Sequence, residues 1–444
     1  MGKHVHFIGI AGKTMAPLAK MFQDMGWHVT GSDQKLVYPP ITTYLKENKI
    51  DFFRGYNEKN LVGKPDLVIV GRSALLVDKE NPELAKAERL RLRVLSYPEV
   101  LRDFLIKENS IVTAGTYGKT TNASLISWIL QEAGLNPSFM IGGLPLNFPE
   151  GVRNTDSSFS VVEGDETPAM NEDDLPKFMF YKPKFVLLSA VKWDHPEVFK
   201  TEKSYLSAFK KFVELIPQDG LLIVCREGEG TKEVTREARC KVVWYPTATF
   251  PFQTSLLGKH NLQNIDGCIT LCSLLGLKKE VIQKAVKSFR GARGRLENLG
   301  TFGGVTVFLD FAQHPAKAKE SLVALRTKYP KNKIFCLFDP HASLLQQRES
   351  LVWYPGSFDQ ANQVIVTKVS FLGRLEKTVW VKGPDIVKAI KHPSGGAFYE
   401  PAAEKVIDFV KKETKTGDVV VLLSSGGLKT TQMLEKLIFS LKEK

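Results

Sequence analysis

Cysteine is scarce in this sequence. Five residues among 444 (Cys225, Cys240, Cys268, Cys272 and Cys336) show no metal-ligand spacing. So odd and sparse a set argues against a disulfide-stapled scaffold or a zinc site, and reads as reduced thiols of a cytoplasmic protein. Long apolar stretches are missing too: no run approaches the ~20 residues of a membrane span, so no membrane partner is expected. The opening MGKHVHFIGI passes straight into a strand, without the apolar core and cleavage site of a secretory signal. Neither an internal repeat nor a low-complexity tract occurs. Acidic residues are outnumbered, 48 Asp and Glu against 61 Lys and Arg, for a formal charge of +13. No helix-turn-helix, zinc-finger or RNA-binding signature accompanies that charge, and the lysines are scattered. Nucleic acid is therefore rejected as the main partner; solvated helix faces and anionic small molecules account for the excess.

What is present is α/β alternation. At 444 residues the chain exceeds one ordinary core. A first block runs from HVHFIGI through a helix ending near Met25, strand HVTGSD and the apolar run PDLVIVG, to about Leu105. Continuous apolar runs of this kind suit parallel strands covered on both faces. A second block starts at SIVTAG and closes with a helix over 279–289. After it RGARGRLENLGTFGG, rich in glycine, reads as a hinge or linker. The third block carries VTVFLDFA, KIFCLFD, QVIVTKV and DVVVLLSSGG. The fold class expected is therefore α/β in three domains, at 1–106, 107–293 and 294–444, with ligands at the carboxyl ends of parallel strands.

The most informative stretch is IVTAGTYGKTTNASL at 111–125, where a β-branched run meets two glycines, a lysine and two threonines before a helix. Glycines let backbone N–H groups converge on phosphate oxygens, and the helix aims its positive end at the same point. Lys119 can then reach terminal phosphates and the Thr120 hydroxyl can ligate Mg²⁺. The usual nucleotide loop has four residues between its glycines; Gly115 and Gly118 have two. By pattern alone, a helix entry capped by threonine is the alternative.

The loop GTYGKTT resembles the GTHGKTT loop of the Mur ligases, the ATP-dependent amide-forming enzymes of peptidoglycan synthesis. The likeness continues in order along the chain: GIAGKTMAPLA, GSD, IGGLPLNF, EGDE, DHPEVF, GKHNLQN, GRLE, DFAQHP and SSGG. It implies a Rossmann-like N-terminal domain, a central P-loop ATPase-like parallel sheet and a Rossmann-like C-terminal domain. Within the family, VYPPITTYL, DLVIVGRSALLVDKENPEL and IGGLPLNF look most like the branch that rejoins a salvaged tripeptide to UDP-N-acetylmuramate. The next most similar branch adds L-alanine to that sugar nucleotide. The resemblance implies ATP and Mg²⁺, an amino-acid or tripeptide acceptor, and a monomer or homodimer.

Site residues follow from the same resemblance. Gly115, Thr116, Gly118, Lys119, Thr120 and Thr121 form the phosphate loop. Glu163 and His195, each after an apolar strand, match the Mg²⁺-binding glutamate and histidine. Asn261 and Asn264, on one face of a helix start, match a motif near the adenine. Arg295 matches an ATP-contacting arginine, and Asp310 is expected at a ribose hydroxyl. His314 falls near the incoming amine, as a base or a positioning group. Gly9, Gly12, Lys13, Thr14 and Asp33 are expected at the UDP diphosphate. An acyl-phosphate route brings a carboxylate onto a polyanion. Two charges at ~4 Å repel by several kcal/mol at protein-like dielectric, so cations must neutralise them.

Two other readings stay open. FIGIAGKTM with Asp33 after the second strand is a weak dinucleotide signal. The departures Tyr117, Leu309, Gln313 and His341 from the family pattern suit a nucleotide-binding relative without ligase chemistry. Lys210 and Lys211, near the helix lysine that some family members carbamylate, are left without a role.

Overall fold

The computed structural model describes residues 2–39, 41–170, 175–195, 198–246, 252–340, 345, 347–369, 380–424 and 428–444. Strands β1 (His4–Ile8), β2 (His28–Asp33), β3 (Phe53–Arg54), β4 (Leu67–Val70) and β5 (Val94–Ser96) pair in parallel in the order β3-β2-β1-β4-β5. All four residues of β4 are buried, as a strand covered by helices on both faces must be.

The second sheet holds β6 (Asn109–Ala114), β7 (Ser138–Met140), β8 (Val152–Arg153), β9 (Phe159–Glu163), β10 (Phe185–Leu188), β11 (Leu221–Cys225) and β12 (Lys241–Tyr245). Its order is β12-β11-β10-β6-β9-β7-β8, parallel except for β8. The third holds β13 (Glu297–Phe302), β14 (Val305–Asp310), β15 (Ile334–Phe338), β16 (Gln363–Val366), β17 (Ala397–Tyr399) and β18 (Val419–Leu423). Here the order is β13-β14-β18-β15-β16-β17, and only β13 is antiparallel. The architecture is three α/β domains with sheets dominated by parallel pairing.

Residues 1–255 with 260–290 make one compact unit that contains the first two sheets; 256–259 with 291–444 make a second. One apolar cluster explains the first grouping, running from Phe7 and Phe22 through Leu105 to Val112, Phe178 and Phe209. The glycine-rich segment after Phe289 differs from the expected linker. Its second half is β13, which pairs with β14 through Gly303 and Gly304 at φ 53° and 78°. Two successive positive φ angles are what a two-residue hairpin turn needs, so those glycines mark a turn within the sheet. Among the described residues no helix is long and apolar enough to cross a membrane, and all five cysteines are free thiols.

The first sheet is pinned by a polar cluster beneath it. Glu83, on the helix Pro82–Arg89, has no exposed surface. Its carboxylate meets His6 Nε2 at 3.1 Å and accepts from the Asn57 N–H at 3.0 Å and Asn60 Nδ2 at 2.7 Å, as well as from the Ser32 hydroxyl. Burial alone would raise its pKa; these hydrogen bonds more than offset that and hold it below the ordinary value of 4.5. A depressed carboxylate stabilises the fold above its unfolded pKa, and this stability is lost as pH falls through the folded value. Glu83→Ala should cost about 3 kcal/mol or more, because buried donors lose their acceptor. Urea melts of both proteins at neutral pH and below pH ~4 check this. The difference should shrink in acid; an unchanged gap would show that Glu83 acts through packing alone.

Candidate active site

Three adjacent parallel strands converge on the phosphate loop. β6 runs into it, β9 ends beside it with Glu163 opposite Thr113, and β10 on the other side leads into Ser189 and Ala190. Gly115 has φ +119°, and a Cβ there would run into Ser189 Oγ and the Ala190 carbonyl. Gly118 has φ +79°, and a Cβ there would strike the Asn264 amide. Neither position tolerates a side chain, so the loop is a bare-backbone cradle opening the helix Lys119–Glu132. The glycine spacing that departs from the usual loop is built by close approach, and Gly118 replaces a side-chain cap at this helix start.

Lys119 Nζ donates to the Gly115 carbonyl at 2.8 Å and to both Glu166 oxygens at 3.0 and 2.9 Å. Glu166, 1% exposed, also takes the Tyr205 hydroxyl at 3.3 Å and has His195 Nε2 at 3.8 Å. Tyr205 in turn meets Thr116 Oγ1 at 3.2 Å, and Thr116 donates to the Lys192 carbonyl at 2.7 Å. Lys119, His195 and the loop are thus joined through one carboxylate. His195 has φ 56°, an uncommon conformation for a non-glycine residue and one that clusters at functional sites.

Thr120 and Glu163 lean on a glycine pair. A Cβ on Gly143 would lie 2.9 Å from Thr120 Cγ2, and one on Gly142 would lie 3.0 Å from Glu163 Oε2. The motif IGGLPLNF therefore clears space around both side chains. No three His, Cys, Asp or Glu residues gather as a ready metal cage among the described residues. Thr120 and Glu163 offer hard-oxygen donors of the kind Mg²⁺ takes, beside the phosphate loop, and His195 offers an imidazole nitrogen. Thr121 follows on the buried face of the same helix.

Asn261 and Asn264 lie in the helix Lys259–Leu274, 5% and 6% exposed, where surface positions are the ordinary reading of such a pair. Asn264 packs against Gly118 and donates to Asn261 Oδ1 at 3.5 Å. Lys210 pairs with Glu233 at 2.8 Å on the helix Glu202–Glu214.

On the first sheet, the turn after β1 carries Gly9, with φ +84°, then Gly12, Lys13 and Thr14. Asp33, at the end of β2, accepts the Ala11 N–H at 2.7 Å and the Gln34 N–H at 2.8 Å, and takes the Tyr56 hydroxyl. Burial raises its pKa, and the two backbone donors and the phenol oppose that. Its carboxylate holds the turn in place, so the acid on which a nicotinamide reading depends is already engaged.

Between this turn and the second sheet lies a cavity of about 200 Å³, lined by Lys13, Thr14, Arg72, Tyr97, Glu163 and Lys177 among others. Lys177 Nζ binds Asp165 Oδ2 at 2.7 Å and Thr167 Oγ1 at 2.7 Å. Burial would raise the Asp165 pKa, but the Lys177 charge and the Lys177 and Thr167 hydrogen bonds bring it below the ordinary range. Burial, then the Asp165 and Glu163 charges, push the Tyr97 phenol well up. Tyr97, Lys177 and Tyr205 lie outside the motifs read from sequence, and Arg72, inside DLVIVGRSALLVDKENPEL, is given no role there, because no local spacing marks any of the four.

In the second unit Arg295, just before β13, lies near Asp310 at the end of β14, with His314 four residues further on. Asp310 is 7% exposed and takes the Ser321 hydroxyl. Burial raises its pKa, and Ser321 and Arg295 oppose the rise. That bond ties the strand end to the middle of the helix Pro315–Lys328 and is not the capping role that stood beside the ribose reading. His314 caps the helix Pro315–Lys328, its Nδ1 accepting the Ala316 N–H at 3.2 Å, with the ring 5.0 Å from that of Trp353. Gln313 is 7% exposed, and its buried Nε2 has no hydrogen-bond partner. His341 lies outside the described residues.

Comparison with known proteins follows the same division. The model of the Mur ligase family, catalytic domain, matches residues 4–108. That of the Mur ligase middle domain matches 112–250, and that of the Mur ligase, glutamate ligase domain, 294–426. The chain is 29% identical to UDP-N-acetylmuramate–L-alanyl-γ-D-glutamyl-meso-2,6-diaminoheptandioate ligase of Escherichia coli, over 95% of each chain. It is 28% identical to UDP-N-acetylmuramate–L-alanine ligase of Acetivibrio thermocellus, over 96% of this chain and 93% of that one. A crystal structure of a murein peptide ligase from Psychrobacter arcticus superposes with a TM-score of 0.69 at 23% identity. It covers 100% of this chain and 99% of that one.

Proposed function

The chain belongs to the Mur ligase family, ATP-dependent enzymes that form amide bonds, and on that premise we propose what it joins. The substrates are UDP-N-acetylmuramate and the amine of L-alanyl-γ-D-glutamyl-meso-diaminopimelate, a recycling reaction. ATP as a substrate, together with free thiols, argues for the cytoplasm. The domains at 1–106, 107–293 and 294–444 take the UDP-sugar, ATP and the acceptor respectively.

The observation that supports this reading is the grouping of Lys119, Thr120, Glu163 and His195 around a loop whose two glycines, Gly115 and Gly118, exclude a Cβ. In the proposed reaction the lactyl carboxylate attacks the γ-phosphoryl group of ATP, and ADP leaves. The amine then displaces phosphate from the acyl phosphate. Lys119 exchanges its contact with Glu166 for phosphate oxygens, and the loop N–H groups hold the remaining charge. Thr120, Glu163 and His195 would hold Mg²⁺, which would supply positive charge against the triphosphate. Asn261 and Asn264 brace the adenine end, and Arg295 and Asp310 keep the ATP-contacting roles that the family resemblance implies. Gly9, Gly12, Lys13 and Thr14 face the UDP diphosphate.

For His314 the hydrogen bond supports the positioning role. Its Nδ1 accepts from the Ala316 N–H, which engages that nitrogen with the protein's own helix. On this reading it orients the acceptor.

Acceptor identity is tested with ATP, Mg²⁺ and UDP-N-acetylmuramate and a panel of amines, following ADP, phosphate and product mass. Turnover is expected with the tripeptide. Turnover with L-alanine instead would assign the synthetic reaction, and none with any amine would leave a nucleotide-binding protein. In the same assay His314→Ala should lower kcat/KM about tenfold and keep the rise of rate with pH that amine deprotonation produces. Loss of that rise would make His314 the base.

A further inference from the structure

The turn after β1 shares its site with a second cation, Arg72, to which the family resemblance gives no role. β1 and β4 are neighbours in the first sheet, and the chain leaves them in opposite directions, toward β2 and toward β5. This makes the gap between their carboxyl ends the switch point where an open parallel sheet binds ligands. Lys13 follows β1 and Arg72 follows β4, and both line the same cavity. The two turns can approach because both carry glycine: a Cβ on Gly9 would lie 3.1 Å from Ala74 Cβ and 3.8 Å from Gly71 Cα.

Arg72 is the side chain that lacks a partner here. Its Nε is buried and makes no hydrogen bond, and no described carboxylate pairs with its guanidinium. The other charges on the cavity are accounted for differently. Lys177 is neutralised by Asp165 at 2.7 Å, and Glu163 belongs to the metal-binding set beside Thr120. Lys13 and Arg72 are left facing the cavity as two positive charges from adjacent strand ends. A buried guanidinium nitrogen without an acceptor is costly, and a bidentate phosphate or carboxylate is the group its planar fork fits.

We propose that Arg72 is a specificity-determining residue that, paired with Lys13 across the β1/β4 switch point, grips the diphosphate of a nucleoside-diphosphate ligand. The assignment rests on the reading of the first domain as the UDP-sugar site. It adds that the grip comes from two turns and that Arg72 supplies the directional half of it.

Calorimetry with the full chain tests this, using UDP, uridine, inorganic pyrophosphate and ADP as probes against wild type, Arg72→Ala and Arg72→Lys. Wild type should bind UDP well above uridine. Arg72→Ala should lose about tenfold or more in UDP affinity, with ADP affinity unchanged. Arg72→Lys should recover only part, since lysine keeps the charge without the fork. Equal losses for UDP and ADP, or none for UDP, would overturn the proposal. If pyrophosphate binds with the same Arg72 dependence while UDP gains nothing over it, the anion grip stands and the uridine reading falls.

Discussion

Lys119→Met should reduce ADP formation about 10³-fold or more, with UDP-N-acetylmuramate affinity unchanged. The size follows from what the residue is asked to do. A carboxylate must approach a triphosphate, and a fixed cation at that point lowers a repulsion of several kcal/mol that bulk water cannot screen in a closed site. Lys119 is already aimed: its ammonium sits 2.8 Å from the Gly115 carbonyl, inside the loop. Methionine keeps the length and removes the charge. The fold should tolerate it, but Glu166 loses its cation, so a thermal melt must accompany the assay. A stable protein with unchanged turnover would remove Lys119 from the chemistry. Parallel loss of UDP-sugar binding would show that the two ligands share one site.

Glu163→Gln should lower kcat about 10²- to 10³-fold and raise the Mg²⁺ concentration needed for half-maximal rate. Of the two carboxylates in EGDE that approach the loop, the structure separates the roles by burial. Glu166 is 1% exposed and committed to Lys119 and Tyr205, whereas Glu163 lines the cavity against Gly142. An amide of the same shape keeps one oxygen and loses the charge, so packing changes little. The readout is the shift in metal dependence. If kcat falls while the Mg²⁺ midpoint stays put, Glu163 positions substrate and some other group holds the ion.

The loop's two glycines, lysine and threonine left a threonine-capped helix entry open until the family resemblance was added, whereas the βαβ alternation is a local feature that spacing was enough to read. The three-block division held as three sheets for the same reason, since parallel strands buried on both faces must be written as apolar runs. Where the sequence is ambiguous, the error is also local. Glycines at 300, 303 and 304 look like a linker, yet they build β13 and its turn, because pairing with β14 is settled by residues the motif does not include.

Sequence alone therefore set the glycines and lysine of the loop, the order of the α/β units and the positions of the strand-end acids. Tertiary structure decided which partners those residues meet. Lys119 and Glu166 are 47 positions apart, and His6 and Glu83 are 77 apart. Arg72 and Lys13 reach one cavity only because β1 and β4 lie side by side. A helix or turn is set by neighbours three or four residues away. A charge pair is set by where strands end in space, and that depends on the order in which a whole sheet assembles.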